Sequence, residues 1–139
     1  MVAQGTERQG TGRDEPGGRR APDPRRELGQ RGEDLAAAML TEAGLVVLDR
    51  NWRCRTGELD IVATDGATLV VVEVKTRTGT GYGTPAESVT PRKLARMRRL
   101  AQLWLAEHRV GWVAVRFDVV AVLARPGARP EVEHLVGVF

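Results

Sequence analysis

The sequence contains little of what marks several common protein classes. Its only cysteine is Cys54, so no disulfide can form within the chain, and a reducing, cytoplasmic setting is expected. No apolar run approaches the roughly 18 residues of a transmembrane helix, and the polar start lacks the apolar core of a secretory signal. These absences favour a globular protein without a membrane partner.

Lysine is scarce as well. Lys75 and Lys93 are the only lysines among 21 basic residues, and the net charge is +3. A modest positive charge is compatible with a polyanionic partner, but the arginine preference is also what a GC-rich genome produces. Charge alone therefore favours nucleic acid only slightly.

The first 26 residues differ from the rest of the chain. They are rich in Gly, Pro, Arg and acidic side chains and have no apolar periodicity. Because such a segment buries too little apolar surface to offset the loss of chain entropy, residues 1–26 are predicted to form a disordered tail. Residues 27–139 are predicted to form a single folded domain, which is long enough for a core.

The remaining pattern changes between helical and strand periodicities. Helical spacing of apolar residues runs from Glu27 to Gly44, and Thr90-Pro91 is the expected start of a second helix, after a Gly-rich loop that contains Tyr82. Strands are predicted in five segments: residues 45–53, 58–64, 68–77, 113–123 and 131–139. This order predicts an α/β fold with a mixed central sheet flanked by helices.

Two of these strands carry charges where apolar residues are expected. Glu73 and Lys75 stand one residue apart in the segment TLVVVEVKTR, and Asp60 interrupts the preceding segment GELDIVA. Because alternate residues of a strand share a face, Glu73 and Lys75 project together. Whether Asp60 joins them depends on how the two strands pair.

The link between the two strands, Asp65-Gly66, predicts a two-residue hairpin turn. That turn places Asp60 opposite Val71 and makes Glu73 its diagonal neighbour, about 7–8 Å away between Cα atoms. Two carboxylates that converge on one face repel unless a cation lies between them, and hard oxygen ligands suit Mg²⁺ or Mn²⁺. The opposite, apolar face of the hairpin would hold Leu59, Ile61, Ala63, Val70, Val72 and Val74.

This combination resembles a known nuclease group. Asp60 followed by Glu73-x-Lys75 on a hairpin, after an N-terminal helix, is similar to the PD-(D/E)xK superfamily with its restriction-endonuclease-like fold. The segments NWRCRTGELDIVATDG, VVVEVKTR, GTPAESVTPRKLARMRRLAQLWL and VRFDVV, in this order, resemble the YraN-like family of bacterial proteins, regarded as endonucleases of unestablished role. The resemblance spans residues 30–139. Leu59 stands where the superfamily has proline, and the ending HLVGVF is less polar than expected.

The resemblance implies a role for each matched residue. Asp60 and Glu73 would bind Mg²⁺ or Mn²⁺, and Glu33 on the first helix matches the acid that completes the site in resolvase-like members. Lys75 would orient or help to deprotonate the attacking water, and Glu58 is a further acid near the site. An isolated Glu-x-Lys pair is ordinarily a solvated strand face, and Glu33 could instead be a favourable charge in the first turn of a helix.

A basic stripe on the second predicted helix consists of Arg92, Lys93, Arg96 and Arg99. Because the stripe follows a loop beside the proposed site, it could contact phosphates. It could equally be an ordinary solvated helix face, and both interpretations stay open.

The other aromatic and titratable residues predict packing roles. The three tryptophans are predicted to lie in the core: Trp52, Trp104 and Trp112. His108 and His134 have no metal-ligand spacing and are interpreted as structural.

The leading hypothesis is a metal-dependent endonuclease that hydrolyses phosphodiester bonds in DNA, with branched and damaged DNA among the candidate substrates. The alternative is a nucleic-acid-binding module that keeps the fold without turnover, because a fold does not fix a function. A weaker, third hypothesis is a protein-interaction role. Cutting both strands of a duplex would favour a homodimer, although the sequence identifies no dimer surface.

Overall fold

The computed structural model describes residue 21, residues 23–79 and residues 89–138. Most of the predicted disordered tail lies outside the described residues, and so does Tyr82 with most of the Gly-rich loop. Within the described part, no helix is long and apolar enough to span a membrane.

Two helices and five strands make up the described fold. In chain order they are α1 (Pro24–Glu42), β1 (Val46–Cys54), β2 (Gly57–Thr64), β3 (Thr68–Arg77), α2 (Pro91–Glu107), β4 (Ala114–Leu123) and β5 (Glu131–Leu135). Each element lies within a few residues of its predicted position.

The strands form one sheet in the order β1-β2-β3-β4-β5. β3 and β4 are parallel, and the other neighbouring pairs are antiparallel. A parallel pair needs a crossover connection, which α2 supplies. The predicted mixed sheet flanked by helices is confirmed, and it is the architecture that the resemblance to restriction-endonuclease-like proteins implies.

Side-chain caps define where both helices begin. Thr90 caps α2 as predicted, and its hydroxyl accepts a hydrogen bond from the backbone N–H of Lys93 at 3.2 Å. α1 begins at Pro24, three residues earlier than expected, because Asp23 caps it and accepts from Arg25 N at 3.0 Å. Proline stands in the first turn of both helices, where a missing N–H costs nothing.

Each helix covers one face of the sheet with its own apolar cluster. Ile61 packs with Leu40 in the α1 cluster. Leu59, two residues earlier on the same strand, packs with Leu100 in the α2 cluster, so the predicted common face for Leu59 and Ile61 is wrong. Residues two apart in a regular strand share a face. The alternation of β2 is therefore broken between them, at Asp60.

The tryptophans divide between the core and the surface. Trp104 is 4% exposed and Trp52 packs against the α2 cluster, as predicted, whereas Trp112 is 97% exposed and its predicted core position is wrong. Trp112 lies in the connection between α2 and β4. Connections run over the protein surface, so an apolar side chain there need not be buried.

The β2–β3 hairpin has a longer turn than predicted. Thr64 pairs with Leu69 across the hairpin, which leaves four residues between them instead of two. The carboxylate of Asp65 accepts hydrogen bonds from the backbone N–H groups of Ala67 and Thr68, at 2.8 and 2.7 Å. This side-chain turn competes with the tight two-residue turn that Asp-Gly usually forms.

The longer turn shifts the strand register by two residues. Ile61 pairs with Val72 and Val62 with Val71, so Asp60 no longer faces Val71 as predicted. Because the side-chain period of a strand is two, a shift of two keeps every residue on its face. The correction therefore preserves the polar face and moves Asp60 level with Glu73.

Gly32 lets α1 approach the sheet closely. A Cβ atom at Gly32 would overlap the side chain of Thr76 on β3. Because Glu33 is the next residue of the helix, this close approach also sets how near Glu33 comes to the strands.

Replacing Gly32 with alanine is therefore expected to destabilise the fold by about 1–3 kcal/mol, the usual cost of overpacking. Chemical denaturation measures this directly. Gly29 provides the matched control, since a Cβ there meets nothing within 4 Å, and Gly29→Ala should be neutral or stabilising because alanine favours helix. Equal stability of the two variants would contradict the close approach of α1 to β3.

Candidate metal-binding site

Asp60 and Glu73 lie at the same level of two neighbouring strands. The last described pair of the β2–β3 ladder is Ile61 with Val72, and the next position along it brings Asp60 beside Glu73. Asp60 Oδ2 accepts a hydrogen bond from the backbone N–H of Val74 at 2.9 Å. The carboxylate thus takes a donor of the adjacent strand, which fixes its position at the point where regular pairing ends.

The environment of Asp60 disfavours its charged form. Burial raises the pKa of Asp60 to about 6, although the hydrogen bond from Val74 N–H acts in the opposite direction. The negative charges of Glu73, Glu58 and Glu33 raise the pKa further, in that order of size. A carboxylate whose pKa is raised by the negative charges around it is one that a cation would stabilise.

Glu73 has one engaged oxygen and one without a partner. Its Oε1 lies 3.4 Å from Lys75 Nζ and also contacts Lys93 Nζ. Its Oε2 is buried and has no hydrogen-bond partner among the described residues. A buried oxygen without a partner is costly, so Glu73 retains an unused ligand atom.

Lys93 contacts the acidic residues of the site, unlike the rest of the basic stripe. Burial, and then the proximity of Lys75, lower the pKa of Lys93, while its contact with Glu73 acts in the opposite direction. Arg92, Arg96 and Arg99 are exposed. Lys93 therefore lies within the site, whereas Arg92 and Arg99 are exposed on α2.

Glu33 approaches from α1 and is held by two donors from β1. Glu33 is 8% exposed, and its Oε1 accepts hydrogen bonds from Arg50 Nε at 3.2 Å and from Asn51 Nδ2 at 2.7 Å. Arg50 also donates from Nη2 to Asp34 Oδ1 at 2.6 Å. Glu33 lies near the middle of α1, whose first-turn acid is Glu27, so the alternative of a favourable first-turn charge is wrong.

A small pocket of about 80 Å³ opens beside α2 at this site. Its walls include Asp60 and Glu73 together with Glu58, Lys93 and Arg96. Glu58 is exposed and forms an ion pair with Arg53 at 3.2 Å, so it lies at the rim. The pocket therefore combines carboxylates with basic side chains that approach from α2.

The predicted ligands Asp60, Glu73 and Glu33 are near enough for their charges to interact. They are not arranged as a complete set of metal ligands. Across residue 21 and the ranges 23–79 and 89–138, no three His, Cys, Asp or Glu side chains are arranged to hold a metal ion. The donor set nevertheless fits a hard divalent cation, since it offers carboxylate oxygens, a buried Oε2 without a partner on Glu73 and a raised pKa on Asp60.

Sequence reasoning missed Arg50 and Asn51, and it did not predict the contact of Lys93, which it had assigned to the basic stripe. Arg50 and Asn51 hold Glu33, and Lys93 contacts Glu73 instead of facing solvent with the arginines. The signal for Asn51 was its presence inside a strand, where asparagine is depleted. No pattern in the sequence would have separated Lys93 from the stripe.

Asp118 was also missed, and it organises a second polar cluster between β4 and β5. Its side chain is fully buried and accepts from Arg116 Nε and Nη2, both at 2.9 Å, and from the backbone N–H of Gly137 at 2.9 Å. His134 Nε2 lies 2.8 Å from Asp118 Oδ2. The contacts connect the chain end to the sheet and agree with a structural role for His134.

Comparison with known proteins gives a consistent family match. The model of the uncharacterised protein family UPF0102 matches residues 32–122. A UPF0102 protein of Nocardia farcinica is 58% identical over 112 residues, which cover 81% of this chain and 88% of that relative. A UPF0102 protein of Acidothermus cellulolyticus is 56% identical over 125 residues, covering 83% of this chain and 95% of that relative.

Among solved structures, the chain is similar to that of Archaeoglobus fulgidus Hjc, a Holliday junction resolvase from an archaeal hyperthermophile. The sequence identity is 19%, the TM-score is 0.43, and the alignment covers 76% of this chain and 75% of Hjc.

Proposed function

The chain belongs to the UPF0102 family, as the YraN-like motifs in its sequence predicted, and we propose that it is a divalent-metal-dependent endonuclease acting on DNA. One observation carries the proposal: Asp60 and Glu73, on adjacent strands, line the same pocket, with Lys75 next to Glu73. The proposed activity follows from the chemistry of these side chains.

Asp60 and Glu73 would hold the ion, with Glu33 as the third acid. A bound Mg²⁺ or Mn²⁺ supplies Lewis-acid polarisation of a phosphodiester and lowers the pKa of a water molecule. Lys75, whose Nζ lies 3.4 Å from Glu73 Oε1, would orient the attacking water and stabilise the negative charge that develops on the phosphate. Asp60, Glu73 and Lys75 belong to the β2–β3 hairpin, and Glu33 would complete the site from α1.

The basic residues of α2 would bring the nucleic acid to the site. Arg96 lines the pocket, and Arg92 before it and Arg99 after it are exposed on the same helix at helical spacing. Phosphate contacts from these arginines make binding salt-dependent. Lys93, which contacts Glu73, would meet a phosphate nearer to the reacting bond. Cutting both strands of a duplex would require two such sites, as in a homodimer.

One observation favours a second candidate function, a DNA-binding module without turnover. The ammonium of Lys93 already neutralises Glu73 in the position where a metal would bind. If that contact is permanent, the protein would bind nucleic acid through the same basic surface but would not hydrolyse it.

The test is cleavage of linear, nicked and four-way DNA, and of matching RNA, with Mn²⁺, with Mg²⁺ and with EDTA. We expect metal-dependent DNA cleavage that is lost in Asp60→Ala and Glu73→Ala, because each variant removes a proposed ligand. Glu131→Ala is the matched control, since Glu131 is an exposed acid of β5. Cleavage that survives both site variants would refute the nuclease. DNA binding without cleavage or Mn²⁺ affinity would establish the binding module.

A further inference from the structure

Asn51 has a strained backbone in the middle of a strand. Its φ angle is +52°, in the left-handed region, although it lies inside β1. Within the described residues, the other non-glycine residue of this kind is Arg109, with φ of +53°, and it directly follows the capping residue of α2, where such angles are common. Strain inside an element persists only where surrounding contacts maintain it, and it concentrates at functional sites.

The strained residue lies opposite Asp60. The β1–β2 ladder pairs Arg50 with Ile61 and Trp52 with Leu59, so Asn51 faces Asp60 between these two pairs. This is the position where Leu59 and Ile61 separate into different apolar clusters. The irregularity of β1 and the irregularity of β2 therefore occur at the same level, beside the metal-binding candidate.

The left-handed backbone allows two consecutive residues to reach one acid. Neighbouring residues of a regular strand point to opposite faces. Here Arg50 and Asn51 both donate to Glu33 Oε1, at 3.2 and 2.7 Å. Asparagine is the non-glycine side chain that best tolerates this conformation, and it also supplies the amide donor. A regular strand would lose one of the two contacts.

Glu33 is a buried acid, and a buried carboxylate needs hydrogen-bond donors that hold it in one orientation. Arg50 divides its guanidinium between Glu33 and the exposed Asp34. Among the described residues the Asn51 side chain donates to Glu33, so its amide serves the buried acid and is not shared with Asp34.

We propose that Asn51 is a positioning residue, which uses its left-handed backbone and side-chain amide to hold Glu33 beside Asp60 as the third acid of the site. The proposal rests on the proposed function, because Glu33 serves there as a metal-binding acid. Both donors bind Oε1 of Glu33, and neither of them uses its second oxygen. Residues that hydrogen-bond to a metal ligand and orient it typically contribute about 10–100-fold to metal affinity.

Glycine at position 51 separates this role from a purely structural one. Asn51→Gly keeps the left-handed backbone without steric cost and removes only the amide. Because Asn51 is exposed, its replacement opens no cavity. We expect the melting temperature to stay within a few degrees of the wild-type value, while Mn²⁺ affinity measured by calorimetry falls about tenfold or more.

Arg109→Gly is the matched control. It relieves the other left-handed residue, far from Glu33 in sequence and outside the site, and it should leave Mn²⁺ affinity unchanged. Wild-type Mn²⁺ affinity in Asn51→Gly would overturn the positioning role.

A second readout needs no metal. Crystal structures of the metal-free wild type and of Asn51→Gly should differ in the Glu33 carboxylate, which turns away from Asp60 once the amide is removed. An unchanged Glu33 would overturn the inference. If the wild-type protein itself bound no Mn²⁺, the proposed function would fail, and this structural comparison would still decide whether Asn51 positions Glu33.

Discussion

Asp60→Asn is expected to make the metal-free protein more stable at pH 8 while abolishing its Mn²⁺ binding. The pKa of Asp60 is about 6 in the folded protein, against about 3.9 in an unfolded chain. At pH 8 the charged carboxylate therefore costs about 3 kcal/mol of folding free energy. Asparagine removes this charge and can still accept the hydrogen bond from Val74.

The pH dependence of this effect follows from the direction of the pKa shift. A group whose pKa is raised on folding favours the folded state below its unfolded-state pKa and loses that contribution as pH rises through the folded value. The stability difference between Asp60→Asn and the wild type should therefore be small near pH 3.5, grow between about pH 4 and 6 and remain constant above.

Urea denaturation in EDTA at several pH values measures this difference, and calorimetry with Mn²⁺ measures the lost affinity. Asp65→Asn is a control of opposite sign, because hydrogen bonds from the N–H groups of Ala67 and Thr68 lower the pKa of Asp65. An Asp60→Asn protein that is less stable than the wild type at pH 8 would contradict the proposed strain at Asp60.

Asp118→Ala is expected to have the largest effect on stability, about 3–5 kcal/mol, because it removes a fully buried acceptor that several hydrogen bonds share, two of them from a charged guanidinium. The donors are the guanidinium of Arg116, the ring of His134 and the N–H of Gly137. Total stabilities of small domains are about 5–15 kcal/mol, so this variant approaches the limit of folding.

The contribution of Asp118 should disappear in acid. Burial would raise the pKa of Asp118, but the hydrogen bonds from Arg116, Gly137 and His134 outweigh it and lower the pKa overall. The stabilisation is then complete above the unfolded-state pKa of about 3.9 and is lost as pH falls through the lower folded value. The difference between wild type and Asp118→Ala should shrink below about pH 4.

Denaturation curves for Asp118→Ala, Asp118→Asn and Glu131→Ala test this prediction. Asp118→Asn keeps the shape and one acceptor, so it should cost less than alanine and remain folded. Glu131→Ala, at an exposed position on β5, should change stability by less than about 0.5 kcal/mol. A neutral Asp118→Ala would show that the buried cluster does not anchor the chain end to the sheet.

Much of the fold could be predicted because helices, strands and caps are local. The Thr90-Pro91 start and the alternating charges of the polar face depend on neighbouring residues only, and both agree with the structure. The polar face of the hairpin was also robust, because burial of both apolar clusters excludes a one-residue slip. Asp60 and Glu73 were therefore assigned to one face despite an incorrect register.

The errors arose where side chains replaced backbone partners. Asp65 closes a longer turn with its carboxylate and shifts the register by two. Asp60 takes the N–H of Val74, where the ladder would otherwise continue. Asn51 breaks the alternation of β1 through a left-handed backbone. In each case a polar side chain competes with regular strand pairing. Sequence periodicity does not show whether the side-chain contact or the regular pairing is more stable.

Tertiary contacts account for the other errors. Lys93 was grouped with Arg92, Arg96 and Arg99 by spacing, but its contact with Glu73 depends on how α2 lies on the sheet. Trp112 was predicted to lie in the core, but it belongs to the connection between α2 and β4 and is exposed. The contact of Lys93 and the exposure of Trp112 both depend on how distant segments pack together, which the local sequence does not determine.

The central claim is that Asp60 and Glu73 bind one divalent ion, and anomalous diffraction from a crystal soaked in Mn²⁺ tests it most directly. We expect an anomalous peak between the carboxylates of Asp60 and Glu73, with the ammonium of Lys93 displaced from Glu73. A crystal that shows no peak in this pocket, with the contact between Lys93 and Glu73 intact, would contradict it.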